Sequence, residues 1–301
     1  MTRGPWWIER VHALLAPSEL SALELGALWH LAERLQFVRE NVEPALLALD
    51  VLAHPAAEAV WAAFVRREDD VRDALTQEGG RLAGCVRRGE LGPALFRAGW
   101  ETLGFIPNAE GGGTPADDYL DALFQLARYT LGEERPAFGM PNMSSRASRV
   151  SDFLAVTQPT ADDVVFDLGS GGGKVALTVA ASTVTRVLGV EYGGAYVASA
   201  RSVAAQLGLG NAHFEHADVR EVDLSRGSIF YLYYPFHGEV AQAVAQALGR
   251  LACEKDITVY ASGPRNGFGE HFLGEVEGGA LALSELRGEH SEVMVLRSAR
   301  A

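Results

Sequence analysis

The stretch VVFDLGSGGGKVALTVA, residues 164–180, crowds four glycines between two apolar runs. Glycine loses more conformational freedom on folding than any other residue, so such a cluster answers to a left-handed backbone or a close approach. A strand over 164–168, a turn over 169–173 and a helix from about Lys174 account for it. The turn then presents backbone N–H groups at a helix N-terminus, beyond the carboxyl end of a strand, where open α/β sheets bind ligands. A phosphate-binding loop needs G-x-x-x-x-G-K-[ST], but Leu168 stands six residues before Lys174 and Val175 follows it. A dinucleotide loop, G-x-G-x-x-G/A counted from Gly169, meets Lys174 in its last place. What remains is Asp-x-Gly-x-Gly-x-Gly, formed by Asp167, Gly169, Gly171 and Gly173, with Ser170 inside it.

Downstream, short apolar runs at 186–191, 212–215, 228–234 and 257–262 alternate with helical stretches after the first, second and fourth strands. That rhythm predicts a parallel sheet with right-handed crossovers on both faces. The runs 279–286 and 291–298 leave no room for a helix between them and predict an antiparallel hairpin at one sheet edge. Upstream, residues 6–100 read as helical, with apolar positions Leu20, Leu23, Leu25, Leu28, Trp29, Leu31 and Leu35 and further helices around 43–53, 56–75 and 78–101. Pro, Asn and three glycines break the pattern over 106–118, and Thr114-Pro115 supplies a cap and a first-turn proline. The helix starting there buries Leu120, Leu123, Phe124, Ala127 and Leu131, and a shorter one with Val150, Phe153 and Leu154 ends near Pro159. The expected organisation is a helical domain at 1–135 and an α/β domain at 136–301.

The glycine motif and the elements after it resemble the class I S-adenosyl-L-methionine (SAM)-dependent methyltransferases over roughly residues 140–300. The resemblance implies a Rossmann-like seven-stranded sheet with an antiparallel C-terminal hairpin, and SAM as cofactor. It places Glu191, at the end of GVE, on the ribose hydroxyls, with Tyr192 beside it, and Asp218 with Val219 near the adenine. The fourth strand ends in YLYYPF, where the family has residues facing the reactive methyl. DLGSGGGK, GVE and this aromatic end look most like the non-SET histone-lysine methyltransferases and their bacterial relatives, although Tyr233, Tyr234 and Pro235 stand where that family has Asn-Asn-Phe. YYPF lacks the polar first residue and first proline of the adenine-methylating element.

Methyl transfer from a sulfonium is an in-line displacement, so the work is holding the nucleophile and excluding water. Tyr233 and Tyr234 are candidates to line the transfer site, or strand-end aromatics of the core. His237 is the candidate general base, or a helix cap. Ser144 or Ser145 reads as a cap or as part of a loop closing over the methionine end; Arg146 and Arg149 are candidates for its carboxylate. His213 and His216 have no third or fourth ligand in sight, so no metal site is read.

Composition bounds the rest. With 48% apolar and 22% charged residues the chain is globular, with no apolar run of membrane-spanning length. The first twenty residues do not read as a secretion signal, and the cytoplasm is the expected compartment. Cys85 and Cys253 are too few for a disulfide framework or a thiolate zinc site and are expected to be buried thiols. The net charge of −13 is spread over both halves, which disfavours nucleic acid and leaves a protein side chain or a small molecule as methyl acceptor. The helical layer then shapes the acceptor pocket or a homodimer contact. A noncatalytic SAM-binding module and a nicotinamide-dependent oxidoreductase are the alternatives.

Overall fold

The computed structural model describes residues 14–15, 20, 24–48, 55–107, 113–126, 144–263, 281–287 and 293–299. Packing divides the chain into two units that interleave in sequence: 1–83 with 104–123, and 84–103 with 124–301.

In the second unit the apolar runs become strands β1 (Val164–Leu168), β2 (Arg186–Glu191), β3 (Ala212–His216), β4 (Ile229–Tyr233), β5 (Thr258–Ser262), β6 (Leu281–Arg287) and β7 (Val293–Ser298). They form one sheet in the order β3-β2-β1-β4-β5-β7-β6. The first five are parallel, and β7 runs antiparallel to both β5 and β6. The antiparallel hairpin is therefore present. Strand order reverses at β1, which pairs with β2 on one side and β4 on the other. The crossovers leave on opposite faces there and open a crevice at the carboxyl ends of the strands. On one sheet face Phe166, Leu168, Phe230, Leu232, Val259 and Leu296 pack with Val240, Val244 and Leu248 of the helix Gly238–Glu254.

The described helices are α1 (Leu25–Ala48), α2 (Pro55–Arg87), α3 (Pro93–Thr102), α4 (Pro115–Leu123), α5 (Ala147–Thr157), α6 (Lys174–Ser182), α7 (Gly194–Leu207) and α8 (Gly238–Glu254). Two expected breaks are not there. The helix expected at 43–53 is the end of α1, which continues through Pro44; the helix expected at 56–75 and the start of that expected at 78–101 are one helix, α2, which continues through Gly79-Gly80, and the rest of 78–101 is α3. Interior glycines weaken a helix by only about 1 kcal/mol each. The stop comes at Gly89, whose φ of 72° and N–H bond to the Val86 carbonyl (2.9 Å) form the left-handed cap. In the first unit Leu14, Leu35, Val38, Phe64 and Val71 form a core.

The cap at Thr114 holds: its hydroxyl accepts from the Asp117 N–H (3.2 Å) and donates to the Asp117 carboxylate (2.9 Å). Leu120, Leu123 and Phe124 are buried as expected, whereas Ala127, Leu131 and the tandem Trp6-Trp7 lie outside the described residues. Cys253 is exposed on α8 and Cys85 half-buried, against the expectation of two buried thiols. No helix among the described residues is long and apolar enough to cross a membrane.

Candidate functional site

The glycine turn lies at the carboxyl end of β1, with φ of 82° at Gly169, 52° at Gly171 and 86° at Gly173. All three angles are in the region that favours glycine. Backbone bonds tie the turn to β2, because the N–H groups of Gly169 and Ser170 both donate to the Val190 carbonyl, at 2.9 and 3.0 Å. Two glycines also answer to the protein's own packing. A Cβ on Gly169 would sit 2.2 Å from the Pro235 side chain, and one on Gly173 within 3 Å of Phe214 and Ala200. Pro235 is a site neighbour that sequence reasoning missed, and it brings the loop after β4 against the glycine turn.

Glu191 ends β2 and organises the crevice. Its two carboxylate oxygens accept one N–H each, from Gly171 and from Gly193, both at 2.8 Å. The carboxylate thus joins the turn after β1 to the turn after β2, and each oxygen keeps lone-pair capacity for a further donor. Asp167, 3% exposed, accepts from the Ala176 N–H of α6 at 3.1 Å. Burial pushes its carboxyl up to about 7, and the charge of Glu191 adds to the rise. The Ser170 hydroxyl is buried with no hydrogen-bond partner among the described residues. Tyr192 is exposed.

Asp218 caps a 3₁₀ turn, Val219–Glu221, by accepting from the Arg220 N–H at 3.0 Å, and its carboxylate pairs with the Arg220 guanidinium at 2.6 Å. That pairing holds its carboxyl below the ordinary value. Val219 beside it is half-buried. His213 and His216 both lie exposed on β3, and neither belongs to a metal-binding group among the described residues.

At the end of β4 the chain turns sharply. Tyr234 has a φ of 44° and donates its N–H to the Ser262 carbonyl at 2.8 Å. Its side chain is half-buried and packs on the core, whereas the Tyr233 ring lies 4.6 Å beneath the Arg149 guanidinium. His237 is the N-cap residue of α8 by backbone position, without a capping bond from its imidazole. Neither serine caps α5, since Arg146 occupies that position and Ser145 accepts instead from the buried Tyr231 hydroxyl at 2.8 Å. Ser262, paired with Tyr233 in register, is fully buried, and its hydroxyl has no hydrogen-bond partner among the described residues. The polar end of the run ITVYAS, like those of β1 and β2, was the available signal for it.

These residues fit an adenosine-bearing cofactor. A carboxylate already positioned by two backbone N–H groups has acceptor sites left for two ribose hydroxyls, and the buried Ser170 hydroxyl lacks a partner that a polar ligand atom could supply. Glu191, Gly171 and Ser170 are the residues that would hold the nucleoside.

Residues 165–252 match the family described as methyltransferase domain. The chain is 44% identical over 98 residues to the 23S rRNA (uracil(1939)-C(5))-methyltransferase RlmD of Pseudomonas aeruginosa, a match covering 30% of this chain and 22% of the relative. It thus spans about a fifth of the length of the curated relatives it matches. Similar solved structures include an RNA methyltransferase from Salinibacter ruber in complex with S-adenosyl-L-homocysteine, with 21% identity, TM-score 0.37, 52% of this chain and 92% of that chain covered. The precorrin-6y C5,15-methyltransferase from Geobacter metallireducens is 15% identical with TM-score 0.42, covering 55% and 94%. A methyltransferase domain is thus the family matched by residues 165–252, the stretch that holds the glycine turn and Glu191.

Proposed function

We propose that the chain transfers a methyl group from SAM to a nitrogen or oxygen nucleophile of a protein side chain or a small molecule. The observation that carries the reading is the Glu191 carboxylate bonded at once to Gly171 and Gly193, which holds the two cofactor-side turns in one geometry. When bound, SAM supplies an electrophilic methyl on a sulfonium. The chain's own residues then orient the acceptor and dispose of its proton. Tyr233, with its ring held under Arg149, and Tyr234, fixed by its bond to Ser262, shape the acceptor side. His237, at the start of α8, is the group proposed to take the acceptor proton. Asp218 with Val219 is assigned to the adenine end and Tyr192 to the rim of the ribose site. The non-SET histone-lysine methyltransferases and their bacterial relatives remain the proposed affinity within the class.

The test has two steps. Calorimetric titration with SAM, S-adenosyl-L-homocysteine and NAD is expected to show binding of both sulfur compounds and none of NAD. Glu191→Gln should weaken them about ten- to a hundredfold, since a charged hydrogen-bond acceptor contributes roughly 1.5 to 3 kcal/mol. Labelled methyl from SAM is then offered to cell extract divided into protease-treated, RNase-treated and low-mass fractions. Label that is protease-sensitive or of low mass supports the acceptor class. RNase-sensitive label overturns it in favour of RNA, the substrate in the name of the matched curated relative. Binding without any transfer makes the domain a noncatalytic SAM-binding module.

A further inference from the structure

A second constellation lies wholly within the helical unit and does not depend on the methyltransferase reading. His30 and Glu33 stand one turn apart on α1, and Asp118 comes from α4. The imidazole nitrogen and one oxygen of each carboxylate lie within 4.8 Å of one another. His30 Nδ1 and Asp118 Oδ2 are 3.6 Å apart. An N–H···O bond spans about 2.7 to 3.2 Å, so this gap exceeds one. It is close to the separation of about 3.4 Å between two ligands of a tetrahedral ion bound at roughly 2.1 Å each.

The backbone fixes this convergence. Gly26, one turn before His30, lets α1 approach α4 until a Cβ there would lie 3.2 Å from the Tyr119 nitrogen and 3.3 Å from the Pro115 carbonyl oxygen. The Thr114–Asp117 capping box occupies the Asp117 carboxylate and sets the start of α4. Asp118, next in sequence, has a side chain only 2% exposed and meets His30. Asp121 lies one turn further along α4, also buried, and extends the same face. One imidazole with carboxylates is a donor set for zinc, manganese or iron(II) rather than for a soft ion such as copper(I).

We propose that the helical unit carries a divalent transition-metal site with His30, Glu33 and Asp118 as ligands. The test uses the full chain, stripped with chelator and titrated with Zn²⁺ by calorimetry and with Co²⁺ by visible absorption. One-to-one binding, a cobalt ligand-field band and a metal-dependent rise in melting temperature are expected. His30→Gln and Glu33→Gln should each weaken Zn²⁺ about tenfold or more, while the metal-free proteins keep wild-type circular dichroism. Asp118→Asn carries the added risk of unfolding at a buried position, so the two half-exposed ligands decide the matter. Wild-type protein that binds neither ion overturns the proposal. So does binding that both variants leave unchanged, because the metal then sits elsewhere. If the wild type binds no metal and His30→Gln lowers the melting temperature, the trio is an ion pair.

Discussion

Gly169 shows how tightly one position can be specified. Its φ of 82° already disfavours a side chain, and Pro235 occupies the space a Cβ would enter. Gly169→Ala should therefore lower stability by about 2 kcal/mol or more, read as a shift in urea midpoint, and cofactor affinity should fall with it. An unchanged midpoint would show that Pro235 moves freely. Asp167 offers a pH-dependent prediction. Its folded-state carboxyl is raised to about 7 from an ordinary 3.8, so the folded chain holds the proton more tightly than the unfolded chain. The associated stability is fully present below about pH 4 and is lost as pH rises through about 7. In the cofactor-free protein the urea midpoint should fall between pH 5 and pH 8, and Asp167→Asn should flatten that slope. Identical slopes in the two proteins would remove burial of this carboxyl as the cause.

At the scale of elements, α5 ties three strands together through one carboxylate and the ring next to it. Asp152 accepts from the Tyr260 hydroxyl of β5 at 2.8 Å and from Arg287 of β6 at 2.7 Å, while the Phe153 ring meets Tyr231 of β4 and Tyr260 edge-on at 5.2 and 5.4 Å. Asp152→Ala should cost about 1 to 3 kcal/mol by stranding the Tyr260 hydroxyl, with Asp152→Asn recovering part of it in thermal unfolding. None of this was legible in the sequence, because Asp152, Tyr260 and Arg287 are joined only by the fold. The strands were legible for the opposite reason. β1 and β5 are covered on both faces, so each reads as a mostly apolar run without alternation. Helix ends were harder: the break expected between 75 and 78 is not there, whereas Gly89, inside the helix expected at 78–101, stops α2 through a backbone angle that composition alone does not reveal. In the site, Asp167, the glycines and Glu191 were readable from spacing. Pro235 and Ser262 were not, since their importance lies in what stands opposite them.

At the scale of the molecule, the two units interleave in sequence. The segment 84–103 groups with the sheet. Within that unit α3 lies against α6, where the indole N–H of the buried Trp100 donates to the Ser182 hydroxyl at 3.3 Å. Charge also acts at this scale. With a net charge of −13, the chain attracts cations over a range that salt screens to roughly 10 Å at 0.1 M, so a basic protein tail as acceptor would depend on ionic strength. For such an acceptor KM should rise steadily with added NaCl at near-constant kcat, whereas a neutral small molecule should show no trend. An acceptor whose KM falls with salt would have to be anionic.

The sheet order has a last consequence, for biosynthesis. β7 stands between β5 and β6 although it is made after both. A nascent chain that has just released β6 from the ribosome therefore holds that strand with neither of its edges matched. Vectorial folding can complete the five parallel strands but must wait for β7 to zip the remaining edge, which makes this corner the last part of the sheet to close.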